Sequence, residues 1–398
     1  MSLLLKTTPF HRRTFALSQV HAWRRWAGYL MASSYELSHD REYAAIRSAA
    51  ALFDVTPLYK YHLTGKDACA LADRIVTRDL TKCGVGQVVY TPWCDATGKV
   101  LDDGTVAHLD EGFFRLTSAE PSLRWLRMNA AGLDVDIDDV SDRIAALSIQ
   151  GPTSRDVLAH AGASMVNGLK YFRVSRAEIG GVPVTISRTG YTGDLGFEVW
   201  MDNDRAETVW DAIVSAGEGY GLVVSGLLAL DIARIEAGLI LQDVDYISAN
   251  NALIEGQKSS PFELNLGWTV AKDKGPYVGR RVLNLERARP PAWSFVGLEV
   301  EWDSLEALYA AVHLPPRLPA VAWRSSVPVY KGGAQVGYAT SGCWSPLLKK
   351  YLALAHLQSP HGDPGQSVEI EITVEHHRRR AVARTTKLPF FNPDRKRA

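Results

Sequence analysis

Residues 187–198 read SRTGYTGDLGFE, and this stretch decides the fold. Three glycines in seven residues are unlike core sequence, because glycine costs backbone entropy and is selected where φ is positive or where another group approaches closely. An alternating apolar segment, residues 182–187, precedes the stretch, and a second one begins at residue 198. The pattern predicts a strand, a tight glycine-rich bend and another strand.

The bend presents Arg188, Tyr191 and Glu198 together. An aromatic face beside a carboxylate suits a flat heterocycle with N–H donors, such as a pterin, because the ring stacks and the acid accepts hydrogen bonds. On spacing alone, a decorated hairpin without a ligand explains the same residues equally well.

Several short motifs, taken in chain order, resemble the T-protein (aminomethyltransferase) family of the glycine cleavage system, which includes tetrahydrofolate-dependent demethylases. The glycine-rich stretch resembles the folate-binding loop of that family. The other matching motifs are A-L-F-D-V at 51–55, G-Q-x-x-Y at 86–90, G-K-V-L-D-D at 98–103, Q-G-P at 150–152, R-I-E-A-G at 234–238, L-G-W-T at 266–269 and T-S-G-x-x-S-P at 340–346. Each motif alone is weak, but their collinear order over roughly residues 35–390 is specific.

The resemblance implies an α+β fold of three domains arranged as a cloverleaf around a central channel. A ferredoxin-like, folate-binding domain would comprise residues 1–54 and 144–228. A second, split α+β domain carrying Asp102 would comprise residues 55–143 and 229–281, and a C-terminal β-barrel domain residues 282–398. A length of 398 residues agrees with more than one domain.

Local patterns predict the elements that these domains need. Periodicity predicts helices over residues 40–52, 65–77, 120–131, 205–217 and 227–237, and strands over 59–63, 87–93, 105–109, 113–117, 144–149, 368–374 and 381–386. A proline cluster within residues 286–330 indicates a domain edge or a long surface connection.

Composition excludes several classes of protein. Forty-four basic residues balance 44 acidic ones, which argues against a nucleic-acid or membrane partner held by bulk charge. No apolar run approaches the ~20 residues that cross a bilayer. The four cysteines form no C-x-x-C pair, no metal-ligand spacing is found, and reduced thiols in the cytoplasm are the simplest interpretation.

Asp102 and Asp103 are predicted to occupy a turn before a strand at Thr105. Adjacent residues of a strand face opposite sides, so only one of the two should enter a given pocket. The resemblance places the functional acid at Asp102, where it would exchange a proton at the folate and stabilise cationic charge. A turn with two exposed carboxylates is the alternative.

The resemblance also implies a tetrahydrofolate cofactor, with Glu198 as the anchor of its pterin. Arg188 is a further candidate contact, and Tyr90, Tyr191 and Trp268 are candidate aromatic walls. Core packing is the alternative role for each aromatic residue. Arg234 is predicted to form a structural salt bridge with Glu236 or Asp231.

The chain departs from the family pattern at several positions. Leu230 occupies the position of a family arginine that contacts folate, and residues 247–258 resemble an insertion. Tyr246 lies where the family usually has an acidic residue; a phenol there could protonate a leaving group, although a tyrosine in a surface loop is the alternative. Inserted loops on a fixed scaffold usually change the substrate rather than the chemistry.

Three functions remain open. The departures favour a tetrahydrofolate-dependent methyl or one-carbon transferase of the demethylase type, acting on a small methylated donor. The second is an aminomethyltransferase of glycine cleavage, whose partner would be a lipoylated carrier protein. The third is a folate-binding relative without enzymatic activity.

Overall fold

The computed structural model describes residues 5–398. Its α-helices are α1 His11–Leu17, α2 Asp40–Ser48, α3 Ala68–Ile75, α4 Leu123–Asn129, α5 Ser154–His160, α6 Ala206–Gly217, α7 Leu227–Glu236, α8 Arg280–Arg287 and α9 Trp302–Ala310. The strands of the first half are β1 Trp23–Trp26, β2 Tyr29–Ala32, β3 Ala50–Asp54, β4 Tyr59–Thr64, β5 Val88–Cys94, β6 Val100–Asp110, β7 Phe113–Ser118, β8 Asp136–Asp139, β9 Ile144–Gln150 and β10 Val174–Ile179. The remaining strands are β11 Val182–Ser187, β12 Gly196–Asp202, β13 Leu222–Val224, β14 Trp293–Val300, β15 Val327–Lys331, β16 Ala334–Ser345, β17 Lys350–Gln358, β18 Ser367–Val374 and β19 His377–Thr386.

The glycine-rich stretch connects two central strands of a six-stranded sheet, whose order is β10-β11-β12-β9-β3-β13. Strands β11 and β12 are antiparallel, with Ser187 opposite Glu198. Their apolar residues pack with those of α5 and α6 in one buried cluster that includes Ile186, Phe197 and Trp210. The predicted strand–bend–strand element is therefore confirmed, and burial of its alternating residues fixes its register.

A second sheet has the order β5-β6-β7-β4-β8 and is formed by residues 59–139. Asp102 and Asp103 lie within β6, which begins at Val100, so the predicted turn before Thr105 is wrong. Val100 and Leu101 are buried, and they belong to the strand on the N-terminal side of the two acids. The alternative of two exposed carboxylates is also wrong, since Asp102 is only 2% exposed.

The C-terminal part is a closed six-stranded barrel of order β14-β17-β16-β15-β18-β19. The long connection between α9 and β15 contains three prolines of the predicted cluster, Pro315, Pro316 and Pro319, which confirms an irregular segment at this edge. The mixed α+β class and the barrel are as predicted. The exact domain boundaries remain a prediction, although the six-stranded sheet draws its strands from residues 50–54 and 144–224, and residues 1–4 lie outside the described part.

Predicted helices are present but are shorter at their ends. The helix predicted over residues 40–52 ends at Ser48, because residues 50–54 form the buried strand β3. None of the helices within residues 5–398 has the length and apolar character that a membrane crossing requires.

Candidate active site

A carboxylate held between two phenols forms the centre of the candidate site. Tyr90 of β5 donates to Asp103 Oδ2 at 2.7 Å, and Tyr246 donates to Asp103 Oδ1 at 2.5 Å. We call Tyr90, Asp103 and Tyr246 the tyrosine–aspartate cluster. Tyr246 is only 3% exposed, so it is not a surface loop residue. Two donors on one carboxylate fix both its position and its negative charge.

Asp102 faces the other side of β6, as strand alternation requires. Its Oδ1 accepts from the backbone N–H of Asp103 at 2.7 Å, and its Oδ2 accepts from that of Glu120 at 3.0 Å. The expectation that Asp103 lies apart from the other candidate residues is wrong, because Asp103 is the acid that contacts Tyr90 and Tyr246. The catalytic role of Asp102 stays a prediction.

The two adjacent acids have different electrostatic surroundings. Burial raises the pKa of Asp102 well above its ordinary value, and the neighbouring Asp103 charge raises it further. Burial also raises the pKa of Asp103, but the hydrogen bonds from Tyr246 and Tyr90 oppose that rise. Two side-chain hydrogen bonds stabilise the charge of Asp103, whereas Asp102 accepts only backbone N–H groups, whose effect on its pKa is smaller than that of burial.

The phenol of Tyr246 is a poor acid in this environment. Burial and the charge of Asp103 raise its pKa well above 10. A group with so high a pKa gives up its proton reluctantly near neutrality. The contacts of Tyr246 fit a hydrogen-bond donor to Asp103 better than the proton donor expected from the sequence.

Two further aromatic residues border the cluster. Trp268 is 63% exposed, so core packing does not explain it, and its ring stacks on Tyr90 with centroids 6.3 Å apart. Tyr191 and Tyr90 pack against the same buried hydrophobic cluster, and the Tyr191 phenol donates to the carbonyl of Ile240. These rings give the site flat apolar walls.

Glu198 lies on β12, where the two sheets approach each other. Thr189 Oγ1 donates to Glu198 Oε2 at 2.6 Å. Burial raises the pKa of Glu198, whereas the nearby Arg115 lowers it. Burial in turn lowers the pKa of Arg115 to about 10. No hydrogen bond within residues 5–398 joins Glu198 to the tyrosine–aspartate cluster.

Two of the three glycines of the bend are explained by one amide. A Cβ at Gly190 would lie 2.1 Å from the side-chain oxygen of Gln150, and one at Gly196 would lie 2.2 Å from the same atom. Gln150 donates to the carbonyl of Thr189 and accepts from Thr192 Oγ1 at 2.8 Å. Only residues without a side chain allow this amide to hold the loop from inside.

Arg188 does not join the other candidate residues. Its guanidinium donates to the carbonyl of Leu169 at 3.1 Å and to the main-chain oxygens of Lys396 and Ala398. The side chain is buried in these contacts. We correct the expected folate contact: Arg188 anchors residues 395–398 against β11 and its neighbours.

Sequence reasoning missed Gln242, whose amide borders the cluster. Gln242 Oε1 lies 3.3 Å from the Tyr246 phenol, and its buried Nε2 has no partner in residues 5–398. An orphaned buried donor costs about 1–3 kcal/mol unless a ligand satisfies it. With the acid Glu198 and the aromatic walls, this donor fits a reduced folate, which offers ring donors, acceptors and a stacking face. The one feature of the sequence that could have indicated this role is the position of Gln242 four residues before Tyr246.

The barrel supports the cluster from behind. Asp245 is buried, and its carboxylate accepts from Arg234, from Thr340 Oγ1 at 2.5 Å and from Ser341 Oγ at 2.8 Å. Its carbonyl lies 2.6 Å from His356 Nε2. Barrel strands β16 and β17 thereby fix the residue next to Tyr246.

This arrangement of two sheets and a barrel is that of a known family. The chain matches the GCVT N-terminal domain over residues 13–274 and the glycine cleavage T-protein C-terminal barrel domain over residues 311–392. Its fold resembles the glycine cleavage system aminomethyltransferase T from Bartonella henselae, with a TM-score of 0.82 over 98% of this chain and 99% of that one, at 22% identity. The chain belongs to the aminomethyltransferase (glycine cleavage T-protein) family.

The relatives found by sequence include proteins named aminomethyltransferase and trimethylamine-oxide aldolase. An aminomethyltransferase of Caldanaerobacter subterraneus subsp. tengcongensis is 34% identical over 87% of each chain. Another, from Halothermothrix orenii, is 30% identical over 97% of this chain and all of its own. A trimethylamine-oxide aldolase of Ruegeria pomeroyi is 33% identical over 99% of this chain, which spans 48% of that protein. The family is therefore one of one-carbon transferases.

Proposed function

We propose that this chain is a tetrahydrofolate-dependent methyl or one-carbon transferase of the demethylase type, acting in the cytoplasm on a free, small methylated donor. The observation that carries the proposal is the carboxylate of Asp103 between Tyr90 and Tyr246. The raised pKa of the adjacent Asp102 supports our assignment of a proton to that residue. Tetrahydrofolate, when bound, supplies the nitrogen that accepts the carbon. The four cysteines are free thiols, which suits a reducing compartment.

Each residue of the site has a distinct task under this proposal. Glu198 accepts hydrogen bonds from the pterin, and Tyr191 and Trp268 flank its ring system. Asp103, kept ionised by two phenols, stabilises positive charge on a cationic donor. Asp102, on the other face of β6, keeps the role that the resemblance implies, the exchange of a proton during transfer.

Two local features favour a free donor over a carrier-bound one. Leu230 is buried in the hydrophobic core, so it supplies no polar contact where the family pattern has an arginine. Residues 247–258 begin directly after Tyr246, and Ser248 Oγ donates to the carbonyl of Leu101, next to Asp102. A loop in that place is suited to select the donor.

Aminomethyl transfer in glycine cleavage is the second candidate. It is favoured by the relatives named aminomethyltransferase, several of which align with 87–98% of this chain. In that case the donor would be carried by a lipoylated protein.

One experiment separates the candidates. The purified protein is incubated with tetrahydrofolate and, in parallel, with methylated amines, methoxyaromatics, methylated sulfur compounds, or glycine with a lipoylated carrier system. Mass spectrometry of the folate product identifies the reaction. We expect 5-methyltetrahydrofolate with a free donor. A 5,10-methylene product that requires the carrier would establish glycine cleavage, and folate binding without any product would indicate a non-enzymatic relative.

Replacing Glu198 by Ala should weaken tetrahydrofolate binding by about 10- to 150-fold. The reason is the loss of a charged acceptor, which costs about 1.5–3 kcal/mol. Isothermal titration measures the change, and Glu178→Ala, an exposed position on β10 of the same sheet, is the matched control. Equal folate affinities for the two variants would remove Glu198 from the site.

Shortening the loop by replacing residues 250–256 with two glycines should abolish turnover of the donor and spare folate affinity. Ile247 and Lys258 already pair at the base of the loop, so closure is feasible. Tyr246→Phe, which removes one hydrogen bond to Asp103, should lower kcat and leave the donor KM nearly unchanged. Steady-state kinetics with the natural donor measure both. Full activity of the shortened protein would make the loop irrelevant to donor choice.

A further inference from the structure

Arg115 of β7 is a buried cation without a hydrogen-bond partner. The residue is only 4% exposed, and its guanidinium donates to no group within residues 5–398. A guanidinium carries five N–H donors, and removing such a charge from water without giving it partners is costly. A buried donor of this kind is therefore expected where a ligand completes its hydrogen bonds.

Arg115 and Glu198 face each other between the two sheets. Phe114, the neighbour of Arg115, packs in the buried cluster on one side of the second sheet, so alternation places Arg115 on the other side. Phe197 likewise packs in the cluster with α5 and α6, which places Glu198 on the opposite face of β12. Trp200 shares that face, and the Arg115 guanidinium lies 4.9 Å from the centre of its ring.

The charges of Arg115 and Glu198 influence each other without direct contact. Burial lowers the pKa of Arg115 and raises that of Glu198, and the charge of each residue opposes the shift of the other. No hydrogen bond or ion pair within residues 5–398 joins the two side chains, and Glu198 accepts from Thr189 instead. His62 lies opposite Arg115 on β4, and burial lowers its pKa to about 4, so it adds no charge near neutrality.

A separated acceptor and donor suit a ligand edge on which an N–H group adjoins a carbonyl. Glu198 supplies the acceptor for the N–H group, and Arg115 supplies charged donors for the carbonyl oxygen. A cyclic amide has this edge, and the ring of a pterin contains one. An amino group in place of the carbonyl would instead direct N–H donors at the guanidinium, and both sets of donors would lose their partners.

We propose that Arg115 binds the 4-carbonyl oxygen of the pterin whose N–H groups are bound by Glu198, and that it selects 4-oxo over 4-amino ring systems. This inference rests on the proposed function for the identity of the cofactor. The guanidinium comes from β7, whereas the family pattern has its folate-contacting arginine at the position of Leu230 on α7. The pair Glu198 and Arg115 thus places one polar contact of the ring on each sheet.

Direct binding tests this role without catalytic turnover. Isothermal titration compares tetrahydrofolate with tetrahydroaminopterin, its 4-amino counterpart, for the wild-type protein and for Arg115→Met. The two ligands share one tail, so the ratio of their affinities reports on the ring alone. The 4-amino ring also lacks the N–H group next to position 4, so only the part of the preference that Arg115→Met removes belongs to Arg115.

Arg115→Met should weaken tetrahydrofolate binding by about tenfold or more, the lower end of what a hydrogen bond to a charged group contributes. Binding of tetrahydroaminopterin should change by less than about threefold, because that ligand has no acceptor for the guanidinium. Arg115→Lys, which keeps the charge, should recover part of the preference. Arg143→Met is the matched control, because Arg143 is exposed and already paired with Asp138.

Equal effects of Arg115→Met on both ligands, or no effect on either, would overturn the proposal. Circular dichroism checks that the variant is folded, and Arg115→Gln takes its place if it is not; the preference for the 4-oxo ring must decrease there as well. Absence of demethylation with the expected loss of preference would reject only the proposed function. Absence of tetrahydrofolate binding by the wild-type protein would reject both.

Discussion

Asp102→Asn should lower turnover by about 100-fold while tetrahydrofolate affinity changes by no more than a few fold. The amide keeps the shape and can accept one of the two backbone N–H groups that Asp102 binds, but it cannot exchange a proton. Loss of a general acid or base costs typically 10²–10⁴-fold. Single-turnover kinetics, with binding measured separately by titration, distinguish a chemical defect from a binding defect.

The pH profile identifies which acid carries the proton. Burial and the Asp103 charge raise the pKa of Asp102, so activity that needs protonated Asp102 should fall as the pH rises through this raised value. Asp103→Asn removes the neighbouring charge, so the pKa of Asp102 should decrease and the alkaline limb should move to lower pH. An alkaline limb that stays in place in Asp103→Asn and persists in Asp102→Asn would contradict the assignment of the proton to Asp102.

Glu236→Ala should destabilise the protein by about 3–5 kcal/mol, as expected when one partner of a buried charge pair is removed. Glu236 has a fully buried side chain, and Arg47 donates to it at 2.5 Å. The same carboxylate accepts from Ser345 at 2.5 Å, and Arg47 also donates to the carbonyl of Thr192 in the glycine-rich bend. One acid thus ties together a helix, the bend and the barrel.

Urea unfolding followed by circular dichroism measures this loss. Glu299→Ala is the matched control, because its pair with Lys350 lies at the surface, where such pairs contribute about 0–1 kcal/mol. Similar unfolding midpoints for Glu236→Ala and Glu299→Ala would mean that the buried pair adds little to the stability of the native state. A separate, earlier transition of the barrel in Glu236→Ala would show that the residue acts mainly between domains.

Local sequence patterns were sufficient for the bend and for the two strands that it connects. Alternation in residues 182–187 predicted β11 because one face of that strand is buried, and the glycines predicted a loop with a close contact. Arg234 was expected to pair with Glu236 or Asp231, and it pairs with Asp231 at 2.9 Å because the two lie one helical turn apart. These features depend on residues that are close in the chain, so they can be predicted from a single sequence.

Features that depend on distant residues were not predictable. The partner of Asp103, Tyr246, is 143 positions away in the chain, and no local pattern joins them. Arg188 lies in a motif that resembles a ligand-binding loop, yet its guanidinium donates to main-chain oxygens near position 398. The alternation of side chains along a strand correctly predicted that Asp102 and Asp103 face opposite sides of β6. It could not predict which of the two faces Tyr90 and Tyr246 would approach.

The hydrogen bonds of Asp245 make the candidate site depend on residues of the barrel that do not contact a ligand. Its carboxylate and carbonyl are held by hydroxyls and an imidazole from barrel strands, and the next residue in the chain is Tyr246. A polypeptide ending before the barrel would keep every residue of the tyrosine–aspartate cluster and lose the scaffold that aims one of them. Substitutions at Thr340 or His356 should therefore resemble active-site lesions in their kinetics, although neither side chain faces the cluster directly. Random mutagenesis with a screen for loss of activity should therefore identify positions in the barrel, although these residues are not among those proposed to contact a ligand.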